Sequence, residues 1–237
     1  MSISRPEVPI EVRPGRRAVS DWALIQLQEL ILSGQLAAGD SLGEVELTEM
    51  LGVSRSPTSA ALRQLEERGL VDVSPTNGRR TVKRFGIPDI HELYTIRLAL
   101  EPLGARLAAE RISDAQIRHL RTILAEGHDA AQADDTVGRL AAEFRFHALI
   151  CEASGITRLA QLLTNPWLQT RASLVQFEAE GTRPAGDEVG TPGSHALILE
   201  HLANRDPGAS EAALAEHLRS VRDALVEDPQ LVGTRSR

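Results

Sequence analysis

Hydrophobic residues recur mostly at helical spacing along this chain, three or four positions apart. From residue 88 to residue 226 this spacing predicts helices only, and the candidate spans are 88–111, 113–132, 135–154, 156–179, 194–204 and 208–226. A proline disfavours helical geometry in the residue before it, so the pair Asn165 and Pro166 predicts a kink or a split in the fourth span. The pattern as a whole predicts a mainly α protein.

The stretch 42–82 contains shorter elements. It predicts a short helix ended by Gly52, a tight turn, a second amphipathic helix ended by Gly69, and a two-stranded hairpin at 70–83. An earlier helix, predicted to start at a Ser20 cap, would cover the back of this unit. The apolar residues that predict the buried sides of the two short helices are Val45, Leu47, Leu51, Ala61, Leu62 and Leu65.

Two helices joined by a tight turn and followed by a hairpin are typical of a winged helix-turn-helix. The second helix of such a unit enters the major groove of DNA, and the hairpin contacts the neighbouring backbone or minor groove. Arg79 and Arg80 follow the turn of the hairpin and would supply those contacts. A small helical bundle with a surface hairpin is the alternative interpretation of the same pattern.

Breaks in the pattern divide the chain into five parts. We expect a flexible arm at 1–18, a winged helix-turn-helix domain at 19–84, a linker at 85–89, a helical domain at 90–228 and a tail at 229–237. Within the helical domain, a segment rich in glycine and proline at 181–193 predicts a loop.

Composition and charge narrow the class of protein. The chain has 42% hydrophobic residues, but no apolar run near the roughly 18 residues that span a membrane and no apolar secretion signal. We therefore expect a cytoplasmic protein, and the single cysteine, Cys151, agrees with a reducing compartment. The net charge is −7. Residues 1–85 carry 11 basic and 11 acidic side chains, so the acidic excess lies in 86–237 and only the first part is suited to approach DNA.

One carboxylate and three histidines of the helical domain have the chemistry of a metal site. Glu143 and His147 stand four residues apart, so both point to the same side of one helix. His195 opens a later helix, and His217 lies in the middle of the last one. Brought together in a bundle, these residues would form a mixed nitrogen and oxygen site for Zn, Ni, Mn or Fe. Surface or hydrogen-bonded histidines without a metal are the alternative.

The N-terminal part is similar to the DNA-binding domain of the GntR family of bacterial transcription regulators. The resemblance covers about sixty residues and is strongest over the run LGVSRSPTSAALRQLEERGLV, which begins at Leu51. It implies a homodimer that binds a short inverted repeat in double-stranded DNA. The chain departs from the family pattern at Val45 and Ser59, where family members can have arginine, and at Ala60, where glutamate is usual.

The same resemblance assigns the candidate DNA contacts. Arg55 is the expected base reader, because arginine bound to guanine through two hydrogen bonds is the commonest specific contact. Arg63 has an alternative role, an ion pair with Glu66 or Glu67 on its own helix. Phosphate or secondary contacts are expected from Ser54, Ser56, Thr58, Ser59 and Arg63, and wing contacts from Asn77, Gly78, Arg79 and Arg80.

The rest of the chain resembles the FCD effector domain of FadR-like GntR regulators, an all-helical antiparallel bundle. The resemblance rests on RLALEPLGARLAAER at 97–111, FRFHALICEASG at 144–155, SHALILEHLANRD at 194–206 and the pattern A-x-x-x-H-L at 213–218. It implies that a divalent metal is held by Glu143, which replaces the usual aspartate, and by His147, His195 and His217.

This resemblance also implies a small carboxylate effector beside the metal. Arg97 would clamp the carboxylate through two hydrogen bonds, with an ion pair to Glu101 as its alternative role; Arg171 is a weaker candidate. The predicted function is a DNA-binding transcription regulator, a repressor released by its effector, and not an enzyme. A metal-free ligand-sensing regulator and a metal-dependent helical enzyme are the alternatives. The sequence lacks paired E-x-x-H elements, HExxH and G-x-S-x-G, which argues against the enzyme.

Overall fold

The structure is a computed structural model that describes residues 16–181 and 192–227. The chain divides into two compact units, Met1–Arg84 and Phe85–Arg237, and each is described by itself. Residues 1–15 of the predicted arm, residues 182–191 of the predicted loop and the whole predicted tail lie outside the described residues.

Over residues 16–84, the first unit contains three helices and one hairpin: α1 (Arg16–Leu32), α2 (Glu44–Leu51), α3 (Arg55–Glu67), β1 (Val71–Val73) and β2 (Arg80–Val82). Helix α1 begins before the predicted cap at Ser20, because arginine and alanine in the preceding residues favour helix. Its buried residues pack on α3, where Ala61, Leu62 and Leu65 are fully buried as predicted.

Helix α2 has only two turns, and its buried face is narrower than the sequence predicts. Leu47 is buried, whereas Val45 is 51% exposed, because residues two positions apart on a helix point in widely different directions. Gly52 ends the helix in the left-handed conformation, with a φ of 64°, so the predicted glycine stop is confirmed. The tight turn then leads directly into α3.

The hairpin is antiparallel, and its register pairs Val71 with Val82 and Val73 with Arg80. Gly78 in the connecting turn has a φ of 68°, which glycine adopts at little cost. The side-chain oxygen of Asn77 accepts a hydrogen bond from the backbone N–H of Arg79 at 3.0 Å. The predicted wing is therefore present, with its arginines directly after the turn.

The second unit is helical throughout its described residues: α4 (Ile87–Ala109), α5 (Asp114–Gln132), α6 (Thr136–Ala153), α7 (Thr157–Ala179), α8 (Pro192–Ala203) and α9 (Pro207–Glu227). These bounds lie close to the six predicted spans. Helix α4 packs against α6, α7 and α9, while α5 packs against α6 and α8. Helix α4 begins within the stretch 85–89 that the sequence suggested as a linker.

Helix α7 continues through Pro166, so the predicted split of this span is absent. Proline removes one backbone hydrogen bond, but Leu163, Pro166 and Trp167 are all buried against the bundle. The hydroxyl of Thr170 also donates to the backbone oxygen of Pro166 at 2.8 Å. Tertiary packing therefore holds the helix together at this point.

The beginning of the second unit is fastened to α7 by one side chain. Gln176 accepts a hydrogen bond from the backbone N–H of Phe85 at 2.9 Å and donates one to the backbone oxygen of Phe85 at 3.1 Å. Gly86 follows, and its N–H donates to the carboxylate of Asp89 at 2.9 Å. These contacts fix the chain immediately before α4.

Candidate metal and effector site

Three histidines from three different helices meet inside the second unit. His147 comes from α6, His195 from α8 and His217 from α9, and one ring nitrogen of each lies within 4.8 Å of those of the other two. All three are buried. The rings of His147 and His217 stack at 5.4 Å between centroids, and those of His195 and His217 lie 4.4 Å apart. The structure thus brings together three of the four predicted metal ligands.

The surroundings keep two of these imidazoles neutral. Burial, then the neighbouring His147 and Arg97, lower the pKa of His195 to about 3. Burial and the adjacent histidines likewise lower the pKa of His217 well below its ordinary value. A neutral imidazole is the form that binds a metal. His195 and His217 are therefore in the protonation state that metal binding requires.

Two ring nitrogens of the cluster have unused bonding capacity. The Nε2 atoms of His147 and His195 are buried and have no hydrogen-bond partner among the described residues. A buried polar atom without a partner costs free energy. A divalent metal bound to these nitrogens would remove that cost, so the donor set fits a metal such as Zn or Ni.

A carboxylate that the sequence suggested only as a partner for Arg97 lies beside the cluster. Glu101 on α4 is fully buried, and its Oε2 is 2.6 Å from Nδ1 of His147. Its Oε1 accepts from Nε of Arg97 at 2.6 Å and from Nε1 of Trp167 at 2.8 Å. Burial raises the pKa of Glu101, but Arg97 and then His147 outweigh burial and lower the pKa to about 2.

Arg97 forms the ion pair with Glu101 that is its alternative role, and its role as the effector clamp stays a prediction. It is completely buried and pairs with Glu101 through Nε, while Nη1 and Nη2 have no hydrogen-bond partner among the described residues. Its guanidinium lies 4.8 Å from the centre of the Tyr94 ring and 5.3 Å from that of Phe144. Burial raises the pKa of Tyr94, so its hydroxyl stays protonated. Several buried donors are therefore available to an anion.

Glu143 and Arg171 are the other predicted residues of this site. Glu143 is buried on α6, but it does not belong to the group of ligand atoms formed by the described histidines, and its role as fourth ligand stays a prediction. Arg171 is half-buried on α7, and its role also stays a prediction. Cys151 is completely buried, and burial raises the pKa of its thiol, which makes it unreactive.

In the first unit, most of the predicted DNA contacts lie on the surface. Arg55 is exposed in the first turn of α3, and Ser59 accepts a hydrogen bond from Nη1 of Arg63 at 3.3 Å, in place of the predicted pair with glutamate. Ser54, Ser56, Asn77, Gly78 and Arg79 are also exposed. Their individual roles in DNA binding stay predictions.

Two residues that were predicted to contact DNA form hydrogen bonds or ion pairs within the protein itself. Thr58 is fully buried, and its hydroxyl is bonded to the backbone oxygen of Ser54 and to the hydroxyl of Thr48 on α2. The side chain of Thr58 thus joins the two helices, and its role as a phosphate or secondary contact stays a prediction. Arg80 is ion-paired with Glu66 and, at 3.6 Å, with Glu44.

A winged helix-turn-helix followed by a helical unit that encloses three clustered histidines and a buried arginine is typical of a DNA-binding transcription regulator with an effector domain. Comparison with known proteins gives the family. The family model described as "Bacterial regulatory proteins, gntR family" matches residues 23–80, and that of the FCD domain matches residues 92–220. The chain belongs to the GntR family of transcription regulators and carries an FCD domain.

Known relatives agree with this assignment. The uncharacterised HTH-type transcriptional regulator YdhC of Bacillus subtilis is 31% identical over 58% of this chain and 62% of its own length. The HTH-type transcriptional repressor RspR of Escherichia coli is 25% identical over 80% of this chain and 81% of its own. The structure described as E. coli McbR/YncC has a TM-score of 0.76 at 23% identity, over 87% of this chain and 96% of that one, and so shares the fold.

The family and the relatives are transcription regulators, so the alternative of a metal-dependent helical enzyme is excluded. Among the described residues, no helix combines the length and the apolar character needed to cross a membrane.

Proposed function

We propose that this regulator is a repressor whose DNA binding is controlled by a small carboxylate effector bound beside a divalent metal in the FCD domain. The observation that carries the proposal is the combination of three buried histidines with buried terminal nitrogens of Arg97 that have no hydrogen-bond partner among the described residues. A buried polar group without a partner costs free energy, and a bound ligand would remove that cost.

The roles of the residues follow from their chemistry. His147, His195 and His217 would hold the metal, and Glu143 is the proposed fourth ligand. A metal with an open coordination position supplies a Lewis acid that binds a carboxylate oxygen. Arg97 would bind the same carboxylate through Nη1 and Nη2, since a guanidinium matches the spacing of two carboxylate oxygens.

On the DNA side, we propose a homodimer that places one α3 helix of each protomer in the major groove of a short inverted repeat. Arg55 would read bases, and the exposed residues of the turn and the wing would contact phosphates. The relative RspR is named a repressor, which supports repression as the mode of action. The effector would release DNA by binding one arrangement of the dimer more tightly than the other.

The first test is a thermal-shift screen of the purified protein against small carboxylic acids, with added Zn, Ni or Mn and, in parallel, with chelator. We expect one class of acid to raise Tm only when metal is present, because metal and Arg97 bind the acid together. His195→Ala should abolish this shift. His119→Ala, an exposed histidine on α5, is the matched control and should keep it.

The second test connects the site to DNA. An operator selected from random DNA by the protein itself is labelled, and its release is followed by fluorescence anisotropy. Addition of the stabilising acid with metal should weaken DNA binding of the wild type and of His119→Ala, but not of His195→Ala. Stabilisation by an acid regardless of chelator would instead support the metal-free sensor, in which the histidines bind the ligand directly.

A further inference from the structure

Glu101 occupies the centre of the buried polar network. It receives hydrogen bonds from two other helices and from its own: His147 lies on α6 and Trp167 on α7, while Arg97 stands one turn before it on α4. Its two oxygens serve different partners. Oε2 faces the imidazole of the histidine cluster, and Oε1 faces the guanidinium and the indole.

We infer that Glu101 is a positioning residue that fixes His147 as a metal ligand through Nε2 and orients Arg97 as the carboxylate clamp. The inference rests on the proposed function and deepens it by adding a residue that does not touch the metal. Histidines that bind metals commonly donate the other ring N–H to a carboxylate, which fixes the tautomer and the ring orientation. The 2.6 Å contact between Nδ1 of His147 and Oε2 of Glu101 has this geometry.

The buried nitrogens of His147 and Arg97 that do not face Glu101 support this role. With Nδ1 of His147 turned to Glu101, its Nε2 is left buried without a partner among the described residues, and this is the atom available to a metal. Because Nε of Arg97 donates to Glu101, Nη1 and Nη2 are also left buried without a partner among the described residues. One carboxylate therefore directs a metal-binding atom and an anion-binding pair of atoms at once.

The substitution Glu101→Gln tests this directly. Glutamine has nearly the same size, but it offers one acceptor oxygen and one NH2 group, so it cannot accept from His147 and Arg97 on separate oxygens. We expect Co²⁺ and Zn²⁺ to bind the variant about 10- to 100-fold more weakly than the wild type, the range for loss of such an outer partner. Competition with a chromophoric chelator measures this affinity without any effector or DNA.

The matched control is Glu152→Gln, which removes an exposed carboxylate from α6 and should leave the metal affinity unchanged. The visible absorption of bound Co²⁺ provides a second readout, because band position and intensity report ligand geometry, which a purely structural defect elsewhere would not alter. An altered spectrum in Glu101→Gln, with the wild-type spectrum in Glu152→Gln, is the expected result. Equal metal affinity and equal spectra in all three proteins would overturn the inference.

A measurement on the wild type covers the case in which Glu101→Gln does not fold. Long-range ¹H–¹⁵N NMR of the metal-free protein, labelled at histidine and assigned with His147→Gln, reports which ring nitrogen of His147 carries the proton. The inference requires Nδ1–H, and Nε2–H would overturn it.

These outcomes separate the inference from the proposed function. If the wild type binds neither Co²⁺ nor Zn²⁺, the metal part of the proposed function fails and the inference fails with it. If the wild type binds metal and Glu101→Gln binds it equally well, only the inference fails.

Discussion

The two units of this protein place their candidate functional groups in opposite locations. Of the twelve polar or charged residues that are buried in the described parts of the chain, Thr58 alone belongs to the first unit. The remainder, which include Arg97, Glu101 and the three clustered histidines, belong to the second. Most candidate DNA contacts of the first unit lie on its surface, whereas the candidate ligand-binding side chains of the second unit are buried.

This difference determines what each functional residue contributes to stability. A surface arginine that binds DNA is solvated in the free protein, so its removal changes binding with little effect on folding. A buried arginine that binds an effector must be stabilised in the free protein by a partner such as Glu101. In the first unit, a substitution should therefore change DNA binding without changing stability. In the second unit, a substitution should change both ligand binding and stability.

The largest effect is expected for Arg97→Met, which leaves the carboxylate of Glu101 buried without its guanidinium partner. Breaking a buried pair in this way costs about 3–5 kcal/mol of unfolding free energy. Urea unfolding followed by circular dichroism measures this loss. The double variant Arg97→Met/Glu101→Gln removes both charges and should be more stable than the single variant. A loss below about 1 kcal/mol in the single variant would contradict the comparison.

Next in size is Arg55→Ala, which should weaken operator binding by about 1–3 kcal/mol, or roughly 5- to 150-fold, and relax base preference at one position. Its Tm should equal that of the wild type, since the side chain is exposed. Fluorescence anisotropy at fixed salt concentration gives the affinities. Arg63→Ala is the control for a phosphate contact and should weaken all sequences similarly, with a lower salt dependence. If Arg55→Ala bound the operator with wild-type affinity, Arg55 would not be a DNA contact.

A smaller effect is expected from pH on the metal-free protein. The pKa of His195 is about 3 when folded and about 6.5 in an unfolded chain, so the unfolded state binds more protons between these values. The free energy of unfolding should therefore fall on acidification, by on the order of 1–2 kcal/mol from pH 7 to pH 5 for this imidazole. Below about pH 4.5, protonation of Glu101 in the unfolded state adds a further loss.

Urea titrations in chelator at pH 5, 6 and 7 measure this dependence. His195→Gln should flatten it, whereas His119→Gln, at an exposed position, should retain the wild-type slope. An identical slope in both variants would show that His195 takes up a proton in the folded protein as readily as in the unfolded chain.

The smallest effect on stability is expected for Arg80→Ala in the wing. Its partners Glu66 and Glu44 are partly exposed, and the side chain of Arg80 itself is 25% exposed. Pairs of this kind contribute about 0–1 kcal/mol, so urea unfolding should change little. If Arg80→Ala lowered the free energy of unfolding as much as Arg97→Met, the two units would not differ in how their charged residues contribute to stability.

Much of the fold could be predicted because its signals are local. Glycine after a short helix, the turn of the hairpin and the helical spacing beyond residue 88 depend on neighbouring residues only. The features that could not be predicted have tertiary causes. Packing against the bundle keeps α7 continuous through Pro166, and the contact with Thr48 buries Thr58.

The site shows the same division. The three histidines were predicted to meet, and they do. Glu101 was considered only as a partner of Arg97 four residues away, a pairing visible in the sequence. Its other partners, His147 and Trp167, lie 46 and 66 residues further along the chain. No local spacing relates these residues, so the carboxylate that organises the site emerges only from the packing of α4 against α6 and α7.

The two hydrogen bonds between Gln176 and Phe85 have a practical consequence for dissecting the protein. A fragment that begins at Arg84 retains both backbone partners of the Gln176 amide. A fragment that begins at Gly86 would leave this amide, which is only 8% exposed, with neither. Proteolysis or truncation intended to isolate the effector domain should therefore cut before Phe85. The isolated domain then keeps the two hydrogen bonds of Gln176 and can be used for metal and ligand titration.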